Sequence, residues 1–155
     1  MGKVSKFTYA IVLGVLLVGL VAWIDIQGFN LLGEDYTSGN FGSNVWVHHL
    51  ITAIIIFSIV PICYWIFYRK DKSEVVGIFL TGLTLFYFGL ADVLYFWFQG
   101  LKLPKLLPHL NSHQIIGSVS EFFGYSQVTG TSLLLTSMLG IGITYFTVKF
   151  LKNKL

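Results

Sequence analysis

VWVHHLITAIIIFSIVPICYWIFY, residues 45 to 68, contains no aspartate, glutamate, lysine or arginine. A bilayer core of about 30 Å is crossed by about 20 apolar residues at the 1.5 Å rise of an α-helix, so this run is long enough to span it. Working outward, three more runs have the same character: Phe7 to Ile24, Val75 to Phe98 and Val128 to Val148. Only the third carries a charge, at Asp92. The expectation is an all-α integral membrane protein forming one membrane domain over 1–155, with four transmembrane helices. Lys3 and Lys6 precede the first run as they would in a signal peptide. The run is longer than a usual signal core and has no small-x-small cleavage site before Asp25, so it reads as a retained helix.

Composition points the same way. The 155 residues are 55% hydrophobic and 11% charged, with a mean hydropathy of +0.75, whereas a soluble domain carries about 25% charged residues. Such a chain cannot cover its own surface with polar groups, and lipid is its expected surroundings. The net charge of +3 does not indicate nucleic acid, because the basic residues flank apolar runs instead of forming a binding face. Cys63 is the only cysteine, which excludes an internal disulfide, a four-cysteine zinc site and a CxxC redox pair.

Lysine and arginine are retained on the cytoplasmic side of membrane helices. Lys3, Lys6, Arg69, Lys70, Lys72, Lys149, Lys152 and Lys154 fall on one side of the four-span arrangement, and Lys102 and Lys105 on the other. Both termini are therefore expected in the cytoplasm, with a tight basic turn at Arg69 to Glu74. The two outer segments are long. Residues 25 to 44, with Gly28, Gly33, Gly39 and Gly42, read as an irregular loop. In the second, 99 to 127, Pro104 and Pro108 precede Asn111, which with Gln114 suggests a capping box opening a short outer amphipathic helix between spans three and four. Its apolar side would be Ile115, Ile116, Val119, Phe122 and Phe123, opposite His113, Gly117, Ser120 and Glu121. Helix packing in lipid favours small residues, offered by Thr136, Gly140 and Thr144 on the fourth run and by Ala10 and Gly14 on the first. Pro61 should kink the second span.

The polar groups that are costly in lipid come next. Asp92 lies about 9 Å below the outer end of its run, on a stripe with Thr81, Thr84, Phe88, Tyr95 and Gln99 that should face other helices. All four histidines, His48, His49, His109 and His113, fall at outer span ends or in the second outer segment, at one level with Asp92 and Glu121. Four imidazoles and two carboxylates from separate segments are the donor types that bind copper, zinc or iron. Haem fits less well, because only the second span carries histidine. Of the adjacent pair, His49 shares its helix face with the small Ala53 and is expected to point inward, leaving His48 toward headgroups or a partner. GxSxG, P-loop and GxGxxG patterns are absent, so hydrolase and nucleotide readings have no support.

At Asp92 and His109 the spacing resembles that of the C subunit of the copper membrane monooxygenases, the ammonia- and methane-oxidising family. There, a membrane helix and the segment after it carry Asp-x3-His-x12-His as copper ligands. Here the register reads Asp92, Phe96, His109: the first and last positions match and the middle one is replaced. The aromatic run Tyr95 to Phe98 and the sequence NVWVHHL opening the preceding span are also similar. The resemblance covers the middle two spans. It implies a subunit of an oligomeric membrane oxidoreductase whose copper would need His48, His49 or His113 in place of Phe96. The competing expectation is a structural or accessory membrane subunit, with no metal or catalytic site, that packs against lipid, other membrane subunits or further copies of itself.

Overall fold

A computed structural model describes residues 5–32, 43–68 and 72–154. They form six helices and no strand: α1 (Ser5–Leu32), α2 (Ser43–Tyr68), α3 (Lys72–Tyr87), α4 (Leu90–Phe98), α5 (Gln114–Phe122) and α6 (Gly130–Lys154), with a single 3-10 turn at Pro108–Leu110. The glycine-rich stretch 33–42, residues 69–71 and the side chain of Ala10 lie outside the described residues, and residues 72–74 of the expected basic turn belong to α3. Three helices are long and apolar enough to cross a membrane, over Ile11–Leu31, Val47–Phe67 and Gly130–Thr147, and a fourth span arises if the bent pair α3 and α4 is counted as one. The chain thus has the helices of a polytopic membrane protein.

α1 is the hub, packing against α2, α3, α4 and α6, while α3 also meets α2 and α6, and α5 rests on α6. Two apolar clusters result. The first joins Leu17, Val18 and Val21 to Ala53, Ile56 and Phe57 and to Ile78 and Leu85. The second gathers Ile26, Phe29, Tyr95, Phe96, Leu107, Leu110, Ile116, Val128 and Leu133 at the end of the bundle where α1 finishes. Around them, Leu50, Ile54, Ile62 and Phe67 of α2 and Leu134, Met138, Ile141 and Phe146 of α6 are exposed. In water such a surface would associate, whereas in lipid it meets a like solvent.

Close approach depends on the small residues. Thr136 and Thr144 are buried on the same face of α6 as Gly140, where a Cβ would lie 2.5 Å from Cβ of Phe88. Gly14 is set directly against Thr81 of α3. Gly14 and the row on α6 therefore mark helix contacts, as the sequence suggested; α2 runs through Pro61 as one helix.

Several boundaries differ from the sequence reading. α1 continues to Leu32, so Asp25 and Gly28 belong to a helix and not to a loop. The third apolar run is broken at Gly89, whose φ of 80° is a left-handed conformation that a side chain disfavours; α3 and α4 meet there at 73°. Ser137 of α6 donates to the Phe88 carbonyl at 3.1 Å, satisfying backbone at the break from a neighbouring helix. α6 starts at Gly130 instead of Val128, with Thr129 and Ser132 capping it reciprocally: the Ser132 amide donates to the Thr129 hydroxyl at 3.1 Å and the Thr129 amide to the Ser132 hydroxyl at 2.9 Å. Finally, α5 is capped by His113, whose Nδ1 accepts from the Ile116 amide. Asn111 instead accepts from the Val128 amide at 2.7 Å, tying the 3-10 turn to the start of α6.

α5 is also rolled from its expected orientation. Ile116 is buried but so is Ser120, whose hydroxyl donates to Ser132 of α6 at 2.9 Å, while Phe122 is 85% exposed. A hydroxyl with a fixed partner is favoured inside over a phenyl that lipid can accommodate. Replacing Gly140 by Leu forces side-chain atoms into Phe88 and should destabilise the bundle by about 1–3 kcal/mol. Met138→Ala, at a position 67% exposed two residues away, should change stability by less than about 0.5 kcal/mol. Equilibrium unfolding in bicelles measures both.

Candidate functional site

Along α1 the buried positions Val18, Val21, Ala22, Asp25, Ile26 and Phe29 repeat at the three- and four-residue spacing of one helix face. Asp25 is thus carried into the bundle by its own helix, and it is only 2% exposed. A lone carboxylate there would be far costlier than in water. Its partner comes from α2, where the Nδ1–H of His49 donates to Asp25 Oδ2 at 2.6 Å, a short hydrogen bond. The other face of the pair is closed by α3, whose Phe86 ring stacks on the His49 imidazole at 4.9 Å and 25°.

His48 approaches the same carboxylate from its other side. Its Nε2 lies 3.7 Å from Asp25 Oδ1, and neither atom has a hydrogen-bond partner. The ring sits edge-on to Phe29 at 6.0 Å, and Phe29 in turn meets Tyr95 of α4 at 5.8 Å. Neighbouring residues of a helix are about 100° apart, so two adjacent histidines reach one group only if that group lies between their directions. His49 points inward as expected, and Ala53 below it is buried. His48 was expected to face headgroups or a partner; instead it also turns toward Asp25, because α1 extends far enough to meet it.

The remaining candidates divide. Asp92, in the first turn of α4, acts electrostatically on His49, His109 and His113, and Tyr87 bridges toward His113 with rings 6.1 Å apart. Asp92 thus lies within electrostatic reach of His49, His109 and His113, while His48 and His49 both approach Asp25. Glu121 is exposed on α5, and the carboxylate that acts on His109 and His113 is Asp92. Phe96, at the position where the copper motif has histidine, is 1% exposed within the second apolar cluster. Among the described residues no group of three or more His, Cys, Asp or Glu side chains is gathered so as to hold a metal ion, so copper, zinc and iron find no support there.

Comparison of the chain with family models, curated proteins and solved structures finds no match. Asp25 is the residue the sequence reading missed. The signal was present: its spacing from Val18, Val21 and Phe29 continues the apolar stripe, which the charge at the end of the run concealed.

His109 and His113 lie between the spans, and burial lowers both below the ordinary 6.5, against the opposing pull of Asp92. A histidine whose folded-state value is depressed takes up its proton more readily when unfolded, so folding stability rises with pH through that range. The contribution is complete above 6.5 and is lost as pH falls toward and through the lowered values. Stability of the 108–113 segment should therefore decline on acidification from pH 7.5 to 5, and His109→Gln with His113→Gln should flatten the profile. Amide hydrogen exchange of Leu110 and Ile116 against pH measures it.

Proposed function

We propose that this chain is a polytopic membrane protein whose working group is a protonatable carboxylate–imidazole network, Asp25 with His49 and His48, extended by Asp92, His109 and His113. The observation that carries the reading is the 2.6 Å contact between His49 Nδ1 and a carboxylate that is 2% exposed. Ionisable groups within apolar spans are expensive and mark ion pathways and proton relays, and imidazole changes charge near neutral pH.

The chemistry is proton storage and transfer. A pair of neutral imidazole and carboxylate takes up one proton and becomes neutral overall, as imidazolium with carboxylate or, once the proton crosses from Nδ1 to Oδ2, as imidazole with carboxylic acid. Both states are compatible with surroundings of low dielectric constant, since neither leaves an unbalanced charge. The phenyl face of Phe86 holds the His49 ring against rotation and excludes water from that side. The lysine and arginine distribution favours both termini in the cytoplasm, which puts the network near the opposite membrane face.

Infrared difference spectroscopy of the protein in lipid vesicles, stepped from pH 8 to pH 5 with 13C-labelled aspartate, tests the reading. A carboxylic acid C=O band should appear on acidification, disappear in Asp25→Asn and shift in His49→Gln. A band unaffected by Asp25→Asn, or no band at all, would overturn it. The accessory-subunit reading, in which the pair only joins α1 to α2, would then be preferred.

A further inference from the structure

Gly28 sits one helical turn beyond Asp25 on α1, and a Cβ built there would fall on the His48 ring, with Nε2, Cε1 and Cδ2 all inside contact distance. The bare backbone of Gly28 is thus the floor on which the imidazole lies. The ring is held between that floor and the edge of Phe29, and in this seat Nε2 faces Asp25 Oδ1 across 3.7 Å. Nε2 and Oδ1 are both buried, and neither makes a hydrogen bond. Two buried polar atoms of complementary type, facing one another at less than 1 Å beyond hydrogen-bond length, form the second half of a two-sided grip on one carboxylate.

From this arrangement we infer that Gly28 is a positioning residue that seats His48 as the second imidazole of Asp25. The carboxylate then works with both oxygens, Oδ2 toward His49 and Oδ1 toward His48. The inference rests on the carboxylate–imidazole reading and adds to it the residue that makes the network two-sided. Any side chain at position 28 turns His48 away, leaving a one-sided pair of Asp25 and His49. The groups that face the seat are Asp25 and Phe29 from α1, His49 from α2 and Tyr95 from α4 through Phe29, with Asp92 acting on the His49 side.

Ring 15N spectra of histidine-labelled protein in lipid bilayers at fixed pH provide the test. In the native background, Asp25→Asn should move the ring resonances of both His48 and His49, assigned through His48→Gln and His49→Gln. In a Gly28→Ala background, the same substitution should move only those of His49. A His48 resonance that still responds to Asp25→Asn with Ala at 28 would overturn the positioning role. If His49 alone responds in the native background, the carboxylate–imidazole reading stands and the seat falls; if neither responds, both fall. Should Gly28→Ala fail to accumulate in membranes, the double variant Gly28→Ala, His48→Ala decides. Recovery to the level of His48→Ala supports a seat made for this ring, and continued failure overturns it.

Discussion

A carboxylate inside an apolar helical bundle must be answered by the protein, because apolar side chains offer it no partner. Asp25 is that group, and much of the surrounding architecture can be read as the answer. α2 must present its histidine pair at the depth of Asp25, which sets the axial register of α1 against α2. α3 must bring Phe86 over His49, and α1 must remain helical beyond the length a bilayer core alone would require. At about 1.5 Å per residue, the 28 residues of α1 extend over about 42 Å, and the additional turns carry Asp25, Gly28 and Phe29.

The break between α3 and α4 serves the same level of the molecule. A straight helix through residues 72–98 would place Asp92 about 1.7 turns beyond Phe86 along a single axis. The left-handed Gly89 and the 73° bend redirect α4 instead, so that Asp92 acts on histidines of α2 and of the 108–113 segment together. The bend is held from outside by Ser137 on the Phe88 carbonyl and by Gly140 against the Phe88 side chain. α6 therefore shapes the polar level without contributing an ionisable group to it. The Asn111 side chain on Val128 and the Leu107 amide on the Val128 carbonyl at 2.8 Å fasten the histidine-bearing segment to the start of that same helix.

Much of this was legible in the sequence, for identifiable reasons. Run length and the absence of charge located the helices long and apolar enough to span a membrane, because the hydrocarbon thickness fixes how many apolar residues are needed. Small-residue spacing located the contacts at Gly14 and Gly140, where backbone approach leaves no room for a side chain. That Asp92 would lie near histidines followed from counting residues to the ends of the apolar runs, whereas Glu121, expected beside them, is exposed. What stayed hidden was set by pairing across the bundle. Asp25 looks like the polar end of a span until His49 is known to lie opposite, and Gly28 looks like loop glycine until the His48 ring is seen upon it. The roll of α5 was hidden likewise, since Ser120 has reason to be buried only once Ser132 is known to face it. Donor types were legible in the sequence but their distances were not, and His49 proved to pair with a carboxylate that had looked like part of a loop.

The central claim is that Asp25 and His49 form a direct pair within the apolar bundle. The most direct measurement is the dipolar coupling between 13Cγ of Asp25 and 15Nδ1 of His49, recorded by solid-state NMR on selectively labelled protein in lipid bilayers. A coupling matching a hydrogen bond of 2.6 Å between Nδ1 and Oδ2 is the predicted result. A separation beyond about 5 Å, outside any direct hydrogen bond, would contradict the account.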